Sequence, residues 1–135
     1  MKKIYFTLEN AQKFIPLIKS KIKTLQDLKE SISLLSTVEI DFQNDTYENY
    51  IHFIKVNKEF HKLVYTFYKE LEEIESVGCV VKDIDSGLVD FFHYFEGRDV
   101  FLCWKLGEDK IGHWHEIDTG YEGRKPIVFL EEIRK

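Results

Sequence analysis

Apolar residues in the first half of the chain recur at helical spacing. Leu8, Ala11, Ile15, Ile18, Ile22, Leu25 and Ile32 follow three-and-four intervals, with only Lys29 interrupting the seam. Phe14, Leu17, Leu28 and Leu35 widen the stripe, as a core-facing helix requires. Thr7 has the chemistry of an N-cap, and Glu9 follows in the first turn, where the helix dipole favours an anion. Pro16 lacks an amide hydrogen and crowds the carbonyl of Gln12, so a kink or break is expected there. Ahead of the helix, Ile4–Phe6 could form a short strand. A second helical pattern runs from about Thr46 to Ser76 on the seam Phe53, Asn57, Phe60, Val64, Phe67, Leu71 and Ile74. Glu39–Asp45 reads as the connection, and Gly78 as the stop. Two adjacent helices with coiled-coil-like seams predict an antiparallel hairpin.

Beyond Gly78 the period shortens to two. Val80-Val81, Val89–Phe95, Val100–Lys105 and Lys110–Ile117 read as strands, separated by turn residues. A turn centred on Gly97-Arg98 would pair Phe95 with Val100, His93 with Leu102, Phe91 with Trp104 and Asp90 with Lys105. That register gathers Phe91, His93, Phe95, Val100, Leu102 and Trp104 on one face. The predicted fold is therefore α+β: a long antiparallel helical hairpin followed by a small antiparallel β-meander. Residues 1–135 are expected to form one domain, with 1–77 the hairpin and 78–135 the β module.

Composition sharpens this picture. A chain of 135 residues, 44% hydrophobic and 32% charged, is long and apolar enough for a real core. Net charge is −5, with residues 1–77 near balance and residues 78–135 acidic. Neither half has the basic excess that duplex nucleic acid needs, and the acidic half argues against an anionic membrane surface. No apolar run approaches a membrane span, and no signal-peptide pattern opens the chain, so a cytoplasmic location is expected. Cys79 and Cys103 lack CxxC spacing and sit among apolar neighbours, which predicts buried, reduced thiols.

Candidate chemistry concentrates in the β module. His113-Trp114-His115-Glu116-Ile117-Asp118 is the densest group of ligand-type residues. On a strand, His113 and His115 share one face, Glu116 and Asp118 the other. A divalent metal held by His115 with Glu116 and Asp118, and with Asp90 as a further candidate, is one reading; a strand edge with solvated polar residues is the other. Asp90 either pairs across the sheet with Lys105, the favoured reading, or faces the same pocket as His115. Arg124 could hold an anion or bridge to a local carboxylate. With Asp90 and Glu108 it completes the ligand-binding candidates. Asp83 and Asp85 alternate as in a calcium loop, but the glycine and glutamate of an EF-hand are missing, so a polar turn capped by Asp is expected. No Gly-x-Ser-x-Gly, P-loop or dinucleotide fingerprint occurs, and Cys103 lies mid-strand, where thiols are usually inert.

Several fragments together carry a resemblance. They are Gly87-Leu88-Val89-Asp90-Phe91, Gly97-Arg98, Leu102-Cys103-Trp104-Lys105, Gly107-Glu108, Trp114-His115-Glu116-x-Asp118-x-Gly120 and Gly123-Arg124, with Gly78, Lys82-Asp83 and the opening Phe6-Thr7-Leu8 and Pro16. The chain resembles the domain of unknown function family 2203 over nearly its whole length. Phe92 stands where that family often has proline. His113 falls outside the recurring pattern, which shifts interest to His115, Glu116 and Asp118. The resemblance implies no activity, cofactor or catalytic residue.

The expected function is a dimeric interaction or small-ligand-binding protein, not obviously catalytic. The alternative is a small metal-binding protein or metal-dependent enzyme using His115, Glu116 and Asp118, with Asp90 as a further candidate. A homodimer through the helices is expected because the β module can cover only part of the hairpin. The uncovered remainder would be Ile22, Leu25, Leu28, Ile32 and Leu35 on one helix and Tyr47, Tyr50 and Ile54 on the other.

Overall fold

In a computed structural model that describes residues 3–38 and 46–128, the chain begins with an extended segment leading into helix α1, Leu8–Lys13. Thr7 is the N-cap, its Oγ1 accepting from the amide of Asn10 at 3.1 Å. Phe14 separates α1 from α2, Ile15–Ser36, with Pro16 in the first turn of the new helix. The break that proline imposes is thus used as a fresh start, where its missing amide is no loss. Helix α3, Tyr47–Val77, is capped by the Thr46 hydroxyl and ends at Gly78, whose φ of +109° suits only glycine. The expected connection at Glu39–Asp45 lies outside the described residues.

Five antiparallel strands follow in sequence order: β1 Val80–Asp83, β2 Leu88–Phe95, β3 Arg98–Lys105, β4 His113–Glu116 and β5 Lys125–Pro126. The architecture is α+β, a helical hairpin followed by a β-meander. The expected strand at Lys110–Ile117 is shorter at both ends. Ile4–Phe6 is no strand, but the Phe6 amide donates to the carbonyl of Phe92 at 2.7 Å, beyond the end of β1 on the same edge of β2.

The β2–β3 register differs from the expected one. Glu96 and Gly97 form the turn, both with positive φ (49° and 78°), and Phe95 pairs with Arg98. A two-residue turn with left-handed backbone at both positions follows the strand twist, and glycine takes the second place. Asp90 consequently pairs with Cys103 and not with Lys105, which pairs with Leu88. Because the slip is two residues, every side chain keeps its face. Val89, Phe91, Phe95, Val100, Leu102, Trp104 and Trp114 form the inner face.

That face packs on the sheet-proximal half of the hairpin. Ile18, Ile22 and Leu25 of α2 are fully buried, and Ile74 of α3 nearly so. Full burial of such side chains stabilises by roughly 1.5–3 kcal/mol each. Ile22 and Leu25 are therefore core residues, not part of an uncovered stripe. Phe6 sits edge-on to both Phe91 (5.1 Å) and Phe14 (6.0 Å), pinning the start of the chain to sheet and helix. Lys21 of α2 bonds Glu70 at 2.8 Å and also Glu73, tying the two helices near the sheet. At Gly87, with φ +71°, a β-carbon would stand 2.5 Å from Cβ of Leu106, so the β1–β2 turn and the end of β3 approach through a glycine.

Farther along, the sheet no longer reaches. Ile74 is the only buried residue in the 31 positions of α3. At the distal end Leu34 is 65% exposed, Tyr47 77% and Tyr50 59%, and Val38, Phe53 and Ile54 are also exposed. Leu28, Ile32 and Leu35 are half-buried.

Candidate functional site

The outer face of the sheet carries the other half of the alternation: Asp90 on β2, Phe101 and Cys103 on β3, His113 and His115 on β4. An outer face would normally be solvated, yet Asp90, Phe101, Cys103 and His115 are all buried. Lys82 of β1 lies over the Phe101 ring at 4.5 Å, and that ring stands 5.4 Å from His115.

His115 makes two close polar contacts. Its Nε2 is 3.0 Å from Oδ2 of Asp90, and its Nδ1 is 2.7 Å from the carbonyl oxygen of Glu116. Burial pushes the imidazole toward neutrality, but the Asp90 hydrogen bond and the Glu116 carbonyl outweigh this and raise its pKa above the ordinary 6.5. The second carboxylate oxygen, Asp90 Oδ1, is buried and has no hydrogen-bond partner among the described residues. Cys103 completes the group: its sulfur, a carboxylate oxygen of Asp90 and a ring nitrogen of His115 all lie within 4.8 Å of one another. Burial, and then the negative charge of Asp90, push the Cys103 thiol up to about 12. A thiol so held is no nucleophile.

A second polar group adjoins the first. Arg124 donates from Nη2 to Oε2 of Glu108 at 2.6 Å and to Nδ1 of His113, and its guanidinium lies 4.8 Å from the Tyr121 ring centre. Glu108 is fixed in turn. Its Oε1 accepts from the Lys105 amide at 2.7 Å, and its carbonyl accepts from Trp104 Nε1 at 3.0 Å. The chain bend after β4, with a 3-10 turn at Tyr121–Gly123, brings Arg124 back to this face.

Among the sequence candidates, the structure brings Asp90 to His115 and Arg124 to Glu108. It does not bring the carboxylates of Glu116 and Asp118 into the group around His115. Glu116 has the parity of Trp114 and binds Arg98 in a forked pair, with Arg98 Nε 3.0 Å from both carboxylate oxygens. That pairing holds the Glu116 carboxyl below the ordinary range. Asp118 is exposed in the turn after β4. Asp83 caps the β1–β2 turn as expected, its Oδ2 accepting from both the amide (3.1 Å) and the hydroxyl (2.5 Å) of Ser86. Cys79 and Cys103 are free and buried. What sequence reasoning missed is Cys103 as a neighbour of Asp90. The signal was the Glu96-Gly97 dipeptide: placing its glycine second in the turn gives the observed register and the Asp90–Cys103 pair.

The chain belongs to the family described as "Uncharacterized conserved protein (DUF2203)", whose profile matches residues 4–127. No curated protein and no solved structure matches it. No helix among the described residues is long and apolar enough to cross a membrane.

Proposed function

We propose that this protein is a dimeric binding protein whose hairpin arm pairs with a second copy of itself. The supporting observation is the distal half of the hairpin, where, among the described residues, no third layer packs on the two helices. Two helices alone cannot enclose a core, and globular domains bury each apolar stripe against another element. Leu34, Val38, Tyr47, Tyr50, Phe53 and Ile54 are all exposed at this end, and apolar surface gathered in one region marks an interaction site. Between the helices at this end lies a groove of about 310 Å³, lined by Leu35, Val38, Phe53, Val56 and Phe60. A twofold axis needs one self-complementary patch, and two such arms make a four-helix bundle.

The binding role is supported by the state of the polar site. Asp90, Cys103 and His115 are buried and bring three donor-type atoms within 4.8 Å of one another, an arrangement suited to holding a small ligand or ion. Sedimentation at tens of micromolar is expected to show a species of about twice 16.1 kDa. Leu34→Glu and Ile54→Glu, both at exposed positions, should reduce it to monomer with unchanged helical circular dichroism. A wild-type protein that stays at 16 kDa under these conditions would overturn the proposal.

A further inference from the structure

We propose that Asp90, Cys103 and His115 form a binding site for a zinc-class divalent cation on the outer face of the sheet. Three adjacent strands supply one oxygen, one sulfur and one nitrogen donor, mutually within 4.8 Å. A tetrahedral ion with bonds of about 2.0–2.3 Å would hold such donors roughly 3.3–3.8 Å apart, so a small contraction closes the set. The 3.0 Å between His115 Nε2 and Asp90 Oδ2 is already near that separation.

The protonation pattern points the same way. A backbone carbonyl can only accept, so His115 Nδ1 must carry a hydrogen to bond the Glu116 oxygen at 2.7 Å. The lone pair of a neutral ring is then at Nε2 and faces a carboxylate oxygen. Two acceptors at that distance require a cation between them, either a proton or a metal ion. A metal-bound imidazole characteristically donates its other N–H to a carbonyl or carboxylate, which is the arrangement here.

Asp90 Oδ1 is a separate observation. The side chain is 1% exposed, and this oxygen has no hydrogen-bond partner among the described residues. A buried carboxylate oxygen left unsatisfied costs desolvation energy, and a cation shared by the two carboxylate oxygens or bound to one of them removes that cost. The charges also close. Asp90 carboxylate and Cys103 thiolate together neutralise a divalent ion, so the loaded site places no net charge in a buried setting. Mixed sulfur, nitrogen and oxygen donors favour zinc over magnesium or calcium, which take oxygen alone.

Binding exchanges cations and leaves nothing unbalanced. The ion replaces the proton between His115 and Asp90 and the proton on Cys103 sulfur, and both protons pass to the buffer. Native mass spectrometry of the chelator-treated protein after addition of one equivalent of zinc should show one ion per chain. Cobalt in place of zinc should give a thiolate-to-metal charge-transfer absorption. Cys103→Ser should abolish that absorption, and with His115→Gln should weaken zinc binding at least about tenfold. The serine variant is the safer probe, since it changes one atom and its folding can be checked by circular dichroism. No retained zinc and no rise in melting temperature at zinc excess would overturn the site, leaving a proton between His115 and Asp90. A charge-transfer band that survives in folded Cys103→Ser would also overturn it, by placing the ion elsewhere. Neither outcome bears on dimerisation, which does not involve these residues.

Discussion

Trp104 joins both faces of the sheet. Its ring is fully buried on the inner face, while its Nε1 holds the Glu108 carbonyl. Trp104→Ala should therefore remove core volume and loosen the turn that positions Glu108 against Arg124. A loss of about 3–5 kcal/mol in urea unfolding is expected. A loss below about 1 kcal/mol would mean the ring contributes little to packing. Glu116 gives a pH signature at the same scale. Arg98 lowers its folded pKa below the unfolded value of about 4.5, so the pairing contributes stability above that value. The contribution is lost as pH falls through the lowered folded pKa. Urea midpoints measured from pH 7 down to pH 3 should accordingly fall less steeply for Glu116→Gln than for wild type. The effect is small because the Arg98 side chain is 41% exposed.

Among the elements, the β2–β3 hairpin decides the geometry of the site. Its turn asks Glu96 for a φ of 49°, a conformation that glutamate adopts at a cost. Asparagine tolerates that region better, and it precedes glycine in the preferred sequence for this turn. Glu96→Asn should raise stability by about 0.5–1 kcal/mol without moving the register. A destabilised variant would show that the weak Glu96–Arg98 contact at 3.5 Å outweighs the backbone term. The expectation that glycine stands first in this turn failed for a plain physical reason. Turns with glycine first or second both close two-residue hairpins, and hydrophobic alternation cannot separate registers two residues apart. Asp90 and Cys103 keep their face in either, but only one register makes them direct partners.

The whole molecule divides into a half braced by the sheet and an arm that is not. Ile18, Ile22 and Leu25 are fully buried where α2 meets the sheet, while the N-terminal turns of α3 expose tyrosines to water. Local opening should follow that division. In a monomeric Ile54→Glu variant, amides of residues 50–60 should exchange with deuterium well before those of residues 70–77. If the proposed dimer forms, the difference should shrink in the wild type at tens of micromolar. Uniform protection along α3 in the variant would mean that the arm is stable by itself.

The chain's own pattern determined a good deal. Helical spacing, Thr7, Pro16, Thr46 and Gly78 set both helices and their ends, because caps and breakers act through neighbouring backbone groups alone. Period-two alternation, with its face assignments, determined the meander and the membership of each sheet face. The family was legible for a related reason: short fragments at fixed positions need no folding to be recognised. The tertiary structure decided what those faces meet. Only packing could show that Ile22 and Leu25 are covered, since a stripe looks the same whether a sheet or water lies over it. Only the registers of β2 on β3 and of β3 on β4 could bring Asp90, Cys103 and His115 together, from positions 90 to 115 on three strands. The Glu116 side chain is held apart from that of His115 because alternation along a strand turns neighbours to opposite faces, and Asp118 lies beyond the strand in the turn that follows.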